Sequence, residues 1–270
     1  MTTPASANEH SQPGPPEGAR RLRSVRRWGC VAAVVVVAGA GLLFYRAIEN
    51  ARESARRSNC KGQMRQIGLA LLNYREIYGR FPPPYLADAS GRPAHSWRVL
   101  ILPFLGAEPL YGTYRFNEPW DGPHNSKLAD KIFIRKDYSP LHCPSDVPES
   151  GKSNPLMTSF LAVVGPGTVW QEGKSMKQRD ITDDPDATLL VVEVANSGVH
   201  WMEPRDLHIL QMAPTINSPG GQGISSRHPG GAHAVTVAGY VYFLHDRLWA
   251  AKIRGLLTIA GGEPVSRDDF

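Results

Sequence analysis

The pattern of hydrophobic and polar positions divides the chain into a polar start, one long apolar segment and a remainder of short apolar runs. Residues 28–45, WGCVAAVVVVAGAGLLFY, contain no charged side chain. As an α-helix this segment would be about 27 Å long, close to the roughly 30 Å hydrocarbon core of a bilayer. The pattern therefore predicts a single transmembrane helix, with the lipid bilayer as its partner.

A cleaved signal peptide is the alternative, because a basic stretch precedes the apolar segment. The residues after it, Arg46-Ala47-Ile48-Glu49, do not resemble a small-residue cleavage site, so an uncleaved signal-anchor is favoured. Five arginines precede the segment, whereas the bases that follow it are partly balanced by acids. The positive-inside rule then predicts a cytoplasmic N-terminus, a single pass through the cytoplasmic (inner) membrane and a periplasmic C-terminal domain.

The polar start, residues 1–27, is predicted to be a disordered cytoplasmic tail with a basic end. Its first part is rich in Pro, Ser, Thr, Ala and Gly and has too little apolar surface to fold alone.

Beyond the apolar segment, residues 46–79 are predicted to continue the helix into the domain. Six residues recur at steps of three and four and so share one helical face: Cys60, Met64, Ile67, Leu71, Tyr74 and Tyr78. That face is suited to packing on a sheet. Gly79 and the prolines at 82–84 end the helix.

The remaining chain, residues 80–270, is predicted to be one extracytoplasmic domain. Residues 159–164 and 188–194 are β-prone runs, and residues 234–237 and 240–244 flank Ala238-Gly239, which suggests a two-residue hairpin. Residues 97–105 are apolar and could form helix or strand, and residues 106–158 show no clear periodicity. The simplest packing is an α+β fold with one long helix on an antiparallel sheet and long loops.

The charge distribution supports an anchor and argues against nucleic acid as a partner. The sequence pI is about 9.2 and the net charge +5. Residues 20–65 hold eleven basic residues against two acidic ones, so the large domain is mildly acidic. Positive charge confined to the flanks of an apolar segment is typical of a membrane protein.

The chemistry-bearing residues form no recognised catalytic or cofactor motif, and we expect no enzyme activity, no cofactor and no metal ligand. His228 and His233 are five residues apart, which is not a common metal-ligand spacing. Cys60 and Cys143 are either a disulfide pair or two separately buried free thiols, the second being favoured. Trp201 and Glu203 place an aromatic ring beside a carboxylate and are candidates for a ligand-facing surface.

Three blocks resemble the bacterial family called domain of unknown function 1559. They are residues 56–83, which contain Cys60, residues 192–207 and residues 228–239. The last block, HPGGAHAVTVAG, is similar to the family's signature of His, nine residues and then Asp-Gly. Its signature residues here are His228, Pro229, Gly230, Gly231 and Gly239, with Ala238 in place of the Asp.

The resemblance implies a pilin-like fold, in which a long N-terminal helix, half of it in the membrane, packs on an antiparallel sheet. It implies no established activity. Two departures matter: the family's prepilin signal is absent before the apolar segment, and Ala238 tolerates the positive φ of a type I′ turn poorly. We therefore expect a membrane-retained, pilin-like structural or interaction protein that binds other pilin-like or secretion proteins. The alternative is a membrane-tethered domain that binds a solute or an ion.

Overall fold

The computed structural model describes residues 17–132, 139–147, 151, 154–219, 222–266 and 268, with side-chain surroundings from residue 35 onward. Its helices and strands are, in chain order, α1 Glu17–Tyr78, β1 Tyr85–Ala87, β2 Pro93–Ser96, α2 Trp97–Leu100, α3 Glu108–Thr113, β3 Phe160–Leu161, β4 Val163–Val164, β5 Leu189–Glu193, β6 Leu207–His208, β7 Gly231–Thr236, β8 Val241–His245 and α4 Ala250–Leu257. Short 3₁₀ helices cover Leu102–Leu105, Asn125–Ile132 and Gln178–Asp180. The chain divides into two units, residues 1–52 and residues 53–270.

Helix α1 is the longest element and ends at Tyr78, directly before Gly79, as the sequence predicts. It begins at Glu17, so the last part of the predicted disordered tail, residues 1–27, is helical instead. Residues 1–16 lie outside the described part of the chain.

In the first unit, α1 exposes a run of large apolar side chains. Between 57% and 71% of each of the following residues is exposed: Val35, Val36, Val37, Leu42, Leu43, Phe44 and Tyr45. Among the helices in the described part of the chain, none is both long and apolar enough to cross a membrane. The predicted span is residues 28–45, and the structure describes side-chain surroundings only from residue 35 onward. The span therefore stays a prediction.

The second unit is built on a four-stranded sheet with the order β3-β5-β7-β8. All of its neighbouring strands are antiparallel, which confirms the predicted α+β class. Two small pairs flank it: β1 and β2 are antiparallel, whereas β4 and β6 are parallel. Residues 97–105, which the sequence left undecided, are helical because Ser96 caps α2 through a hydrogen bond from the Arg98 backbone N–H.

The two faces of this sheet carry different cores, as the period of two along a strand requires. On one face, Val191 of β5 and Val235 of β7 share a core with Met64, Ile67 and Leu71 of α1. The other face and α4 form a second core with these members among others: Val192, Ala232, Ala234, Leu244, Ile253, Leu256 and Leu257. Beyond the register irregularity between Leu189 and Val191, the odd-numbered residues of β5 and β7 therefore point towards α1.

The predicted hairpin is confirmed as β7 and β8, but its connection is longer than two residues. The Gly239 N–H donates to the Thr236 carbonyl at 2.9 Å, so Val237 and Ala238 are the central residues of the turn. Positive φ falls on Gly239 (88°) and not on Ala238. The expectation that Ala238 would have to adopt a positive φ is therefore wrong, because in this turn only Gly239 has a left-handed conformation.

A buried ion pair organises the loops beside the sheet. The Arg98 guanidinium pairs with Asp206, and both side chains are almost fully buried. Arg98 Nε–H also donates to the Phe160 carbonyl at 3.1 Å, and Asp206 accepts the Ala162 N–H at 2.8 Å. Burial raises the pKa of Asp206 above its ordinary value, although the charge of Arg98 opposes the rise. The pair links α2 to the strand region of residues 160–164.

The close approach of α1 to the sheet gives a testable prediction. A Cβ at Gly68 would lie 2.7 Å from Val235 Cγ2, a buried, stiff β-branched side chain. We expect Gly68→Ala to destabilise the domain by about 1 kcal/mol or more, since overpacking (about 1–3 kcal/mol) outweighs the helix propensity that Ala adds. Urea denaturation of the full chain measures this change.

Gly62 provides the matched control, because it lies in the same helix and a Cβ there meets nothing within 4 Å. Gly62→Ala should stabilise the domain by about 0.5–1 kcal/mol. Equal effects of the two substitutions would contradict the packing described for Gly68.

Candidate functional site

Four chemically reactive side chains that are far apart in the sequence meet inside the second unit. We call this group the buried cluster: Cys60, Glu193, His228 and His233. Cys60 comes from α1, Glu193 ends β5, His228 lies in the loop before β7 and His233 belongs to β7. Each offers one ligand atom, and these atoms all lie within 4.8 Å of one another.

Strand register brings the two residues from the sheet together. Val191 pairs with Val235 and Val192 with Ala234, so Glu193 lies opposite His233. Both side chains point to the α1 face by the alternation described above. The His233 N–H donates to Glu193 Oε2 at 3.0 Å, and His233 Nδ1 lies 3.0 Å from the same oxygen.

Glu193 is the centre of the buried cluster. The Cys60 thiol donates to Glu193 Oε1 at 3.2 Å, and His228 Nε2 lies 3.5 Å from that oxygen. The carboxylate thus contacts all three other members, while only 2% of its side chain is exposed. A buried carboxylate is retained at this cost only where hydrogen bonds or opposite charge compensate its lost hydration.

Two further residues hold His228 from outside the buried cluster. His228 Nδ1–H donates to Glu53 Oε1 at 2.6 Å, and Glu53 in turn accepts hydrogen bonds from Arg56 and Ser145. On the other side of the ring, Nε2 lies 3.4 Å from Cys143 Sγ. The imidazole is therefore fixed by a carboxylate at Nδ1 and faces the cluster with Nε2.

The pKa values of His228, Glu193 and Glu53 are set by two opposing influences, burial and the contacts described above. Burial lowers the pKa of His228, but the hydrogen bond with Cys143, the charge of Glu193 and the hydrogen bond to Glu53 raise that pKa to about 9. Burial also acts to raise the pKa of Glu193 and of Glu53, yet the hydrogen bonds and charges from the histidines, together with Arg56 and Ser145 at Glu53, leave both below their ordinary values. A protonated His228 between two carboxylates is the charge pattern that the contacts favour.

The two cysteines are free, buried and in contact with each other. The candidate disulfide is therefore not formed in this structure, which shows the favoured alternative of two free, buried thiols. The two thiols are joined by a hydrogen bond, so they are not separate from each other. Burial strongly raises the pKa of Cys60, whereas the hydrogen bond with Cys60 and that with His228 lower the pKa of Cys143.

Cys143, His228 and Glu53 stand in the order of a nucleophile, a base and an orienting carboxylate. Such a triad acts only where a substrate can reach the sulfur. Cys143 is fully buried, as is Cys60, whose raised pKa also makes it a poor nucleophile. The thiols, imidazoles and carboxylate of this region are better suited to binding a cation than to attacking a substrate.

The candidate ligand-facing residues lie elsewhere. Trp201 is completely buried and donates from Nε1 to the Ala129 carbonyl at 3.0 Å, so its ring belongs to the core and does not face a ligand. Glu203 is partly exposed and pairs with Arg205 at 2.6 Å. The Trp201 indole packs in the core and is not part of the ligand-facing surface that the adjacent carboxylate suggested.

The signature residues around β7 have direct structural roles. Pro229 and Gly230 form the turn that precedes β7. A Cβ at Gly231 would lie 2.0 Å from the Leu244 carbonyl oxygen of β8, so only glycine fits there. A Cβ at Gly239 would lie 2.7 Å from Leu72 Cδ1, the movable end of a side chain of α1, and the φ of 88° there also favours glycine. The His228 ring contacts side chains of α1 and β5.

Sequence reasoning named His233 but rejected it as a metal ligand, and it missed two residues of the site, Glu53 and Glu193. Their partners lie 40 to 175 positions away along the chain, so no local spacing reveals them. One signal was present: a polar Glu193 directly follows the apolar run LLVV, on the strand face that packs against α1.

The fold and the cluster define an α+β domain with a long N-terminal helix, an antiparallel sheet and a buried thiol, carboxylate and imidazole group between them. A sequence model of the family described as "Protein of unknown function (DUF1559)" matches residues 49–188, and the chain belongs to this family. No curated protein and no solved structure matches the chain. The match includes Cys60 and Cys143, whereas the blocks at 192–207 and 228–239 lie beyond it.

The central role of Glu193 can be tested by removing its charge. Glu193→Gln keeps the shape but leaves a protonated His228 beside a neutral group, and His233 without its acceptor charge. We expect a loss of about 3–5 kcal/mol in the free energy of unfolding, as for other broken buried pairs. Urea denaturation followed by circular dichroism gives the value.

Glu203→Gln serves as the control, since Glu203 also pairs with a neighbouring cation but is 23% exposed. Its loss should be about 0–1 kcal/mol. A similar, small loss at both positions would show that the Glu193 carboxylate is not central to the domain.

Proposed function

We propose that the protein is a single-pass, membrane-anchored, pilin-like structural or interaction protein of the bacterial envelope. Its folded domain would lie outside the cytoplasm and bind other pilin-like or secretion proteins. We assign it no catalytic activity, and the burial of Cys60 and Cys143 supports that assignment.

The exposed apolar run of α1 is the observation that carries the proposal. Residues 35–45 belong to the first unit, and their large side chains have no protein partner that covers them. Continuous apolar surface of this kind has to be buried against lipid or another apolar partner. A helix satisfies its own backbone hydrogen bonds, which is the condition for entering a bilayer.

The packing of α1 in the second unit supports the pilin-like part. Cys60, Met64, Ile67 and Leu71 are fully buried, so this helical face is used inside the domain and is not free for a partner. One long helix packed on an antiparallel sheet is the arrangement that the resemblance implies. Apolar surface for a partner is instead offered by Leu69 and Ile77, which are largely exposed.

Binding of a solute or an ion is the alternative, and it requires a pocket around Trp201, Glu203 and the histidine-rich C-terminal loop. The buried position of Trp201 removes the residue on which that idea mainly depended. The structural or interaction function is therefore preferred.

Fractionation of the full chain from a bacterial host, followed by intact-mass analysis, tests the anchor. We expect an uncleaved chain that stays in the membrane fraction after an alkaline carbonate wash, with its domain digested by protease in spheroplasts. A chain shortened near residues 28–47 would overturn the signal-anchor, and an intact soluble chain would overturn membrane anchoring itself.

Charge placed in the apolar run should release the protein from the membrane. The double substitution Val36→Lys and Leu43→Lys adds roughly 5–7 kcal/mol to the free energy of insertion. Leu210→Lys is the matched control, because Leu210 is as exposed as Val36 (69%) but lies in the second unit. Only the double variant should move to the soluble fraction, and release by Leu210→Lys as well would point to a membrane-binding surface on the domain.

A further inference from the structure

We propose that the buried cluster is a zinc site, in which one Zn²⁺ ion is bound by four side chains: Cys60, Glu193, His228 and His233. The proposal goes beyond an anchored structural protein and does not depend on membrane anchoring. It rests on the identity of the donor atoms, their separations and the side chains that orient them.

The donor atoms are those that zinc prefers in proteins, namely a thiolate sulfur, two imidazole nitrogens and a carboxylate oxygen. In a tetrahedral site with ordinary zinc bond lengths, such atoms lie roughly 3.3–3.6 Å from one another. Glu193 Oε1 already lies 3.2 Å from Cys60 Sγ and 3.5 Å from His228 Nε2. All four donors lie within 4.8 Å of one another, so small inward shifts of the side chains complete the tetrahedron.

The surrounding groups orient the ligands as bound metal requires. Glu53 accepts the Nδ1–H of His228 at 2.6 Å, so Nε2 is the nitrogen that binds the ion once its proton has been released to solvent. A zinc-bound histidine usually donates its other ring N–H to a carboxylate in this way. The backbone N–H of His233 donates to Glu193 Oε2 at 3.0 Å. This hydrogen bond orients the other carboxylate oxygen, Oε1, towards Cys60 and His228.

The charge of the four ligands also suits a divalent ion. A Cys60 thiolate and the Glu193 carboxylate together supply two negative charges, which balance those of the ion, and the thiol loses its proton on binding. A cavity of ≈ 310 Å³ opens beside His233 and is lined by Ser54, Arg57, Ser58, Lys61 and Phe243. His233 is the ligand that borders this cavity, whose wall also carries the cationic side chains of Arg57 and Lys61.

Four protein ligands without an open position indicate a structural zinc ion and not a catalytic one. The ion would join α1 to β5, to β7 and to the loop before β7. Cys143 lies outside the ligand set, next to His228 and Cys60, and is therefore the natural control residue.

The test uses the full chain in detergent, purified under reducing conditions without chelator. Zinc content is measured by elemental mass spectrometry, and chelator-stripped protein is titrated with Co²⁺, whose sulfur-to-metal absorption band reports thiolate binding. We expect one zinc ion per chain and a thiolate band for the wild type. Cys60→Ser should lose the band, whereas Cys143→Ser should keep both the band and the zinc.

Glu53→Gln tests the orienting shell, and we expect its zinc affinity to fall by about 10–100-fold with the thiolate band retained. Since Cys60→Ser could fail to fold, the melting temperature of the wild type provides an independent measurement. Chelator should lower it, and added Zn²⁺ should restore it.

Three results would overturn the proposal. The first is reduced wild-type protein whose zinc content, cobalt spectrum and melting temperature do not respond to metal. The second is a thiolate band that survives in Cys60→Ser but is lost in Cys143→Ser. The third is an intact mass that shows a Cys60–Cys143 disulfide in the purified chain, together with no zinc binding after that disulfide is reduced.

Discussion

The packing of one face of α1 against β5 and β7 is the constraint on which the rest of the domain depends. Because Gly68 has no side chain, the helix approaches Val235 closely, and this contact sets the distance between helix and sheet. Two turns earlier along the same helix, Cys60 is then held directly over Glu193. The apolar contacts and the polar cluster are thus two parts of one interface, and neither can shift without the other.

Much of this interface could be predicted from local sequence. The helix and its end at Gly79 follow from the spacing of the apolar residues and from the glycine and prolines. Strands β5, β7 and β8 follow from short β-prone runs, and the antiparallel pairing of the last two follows from the hairpin between them. The turn type differs from the expected one, because within this turn Gly239 has a positive φ and Ala238 does not. Residues 97–105 are almost all apolar, so their pattern does not distinguish helix from strand, and the cap that Ser96 provides for α2 depends on the folded backbone.

The site itself could be predicted only in part. Cys60 and His228 stood out through the family resemblance, but their role needed Glu193, and Glu193 meets them only when α1 lies across the sheet. Trp201 was misplaced for a related reason, since a ring beside polar residues can be buried once a distant carbonyl, that of Ala129, accepts its N–H. Residue types indicate which chemistry is available, whereas packing over long sequence separations decides which groups meet.

The separations within the cluster have a consequence for the order of folding. Glu193 and His233 are 40 positions apart, whereas Glu53 and His228 are 175 apart. Closing the longer loop costs about 1.3 kcal/mol more in chain entropy, so the contact between β5 and β7 has the lower barrier. The sheet can therefore place its carboxylate and imidazole before any helix covers them. Helix α1, which precedes every strand of the sheet along the chain, is then the element whose docking completes the domain.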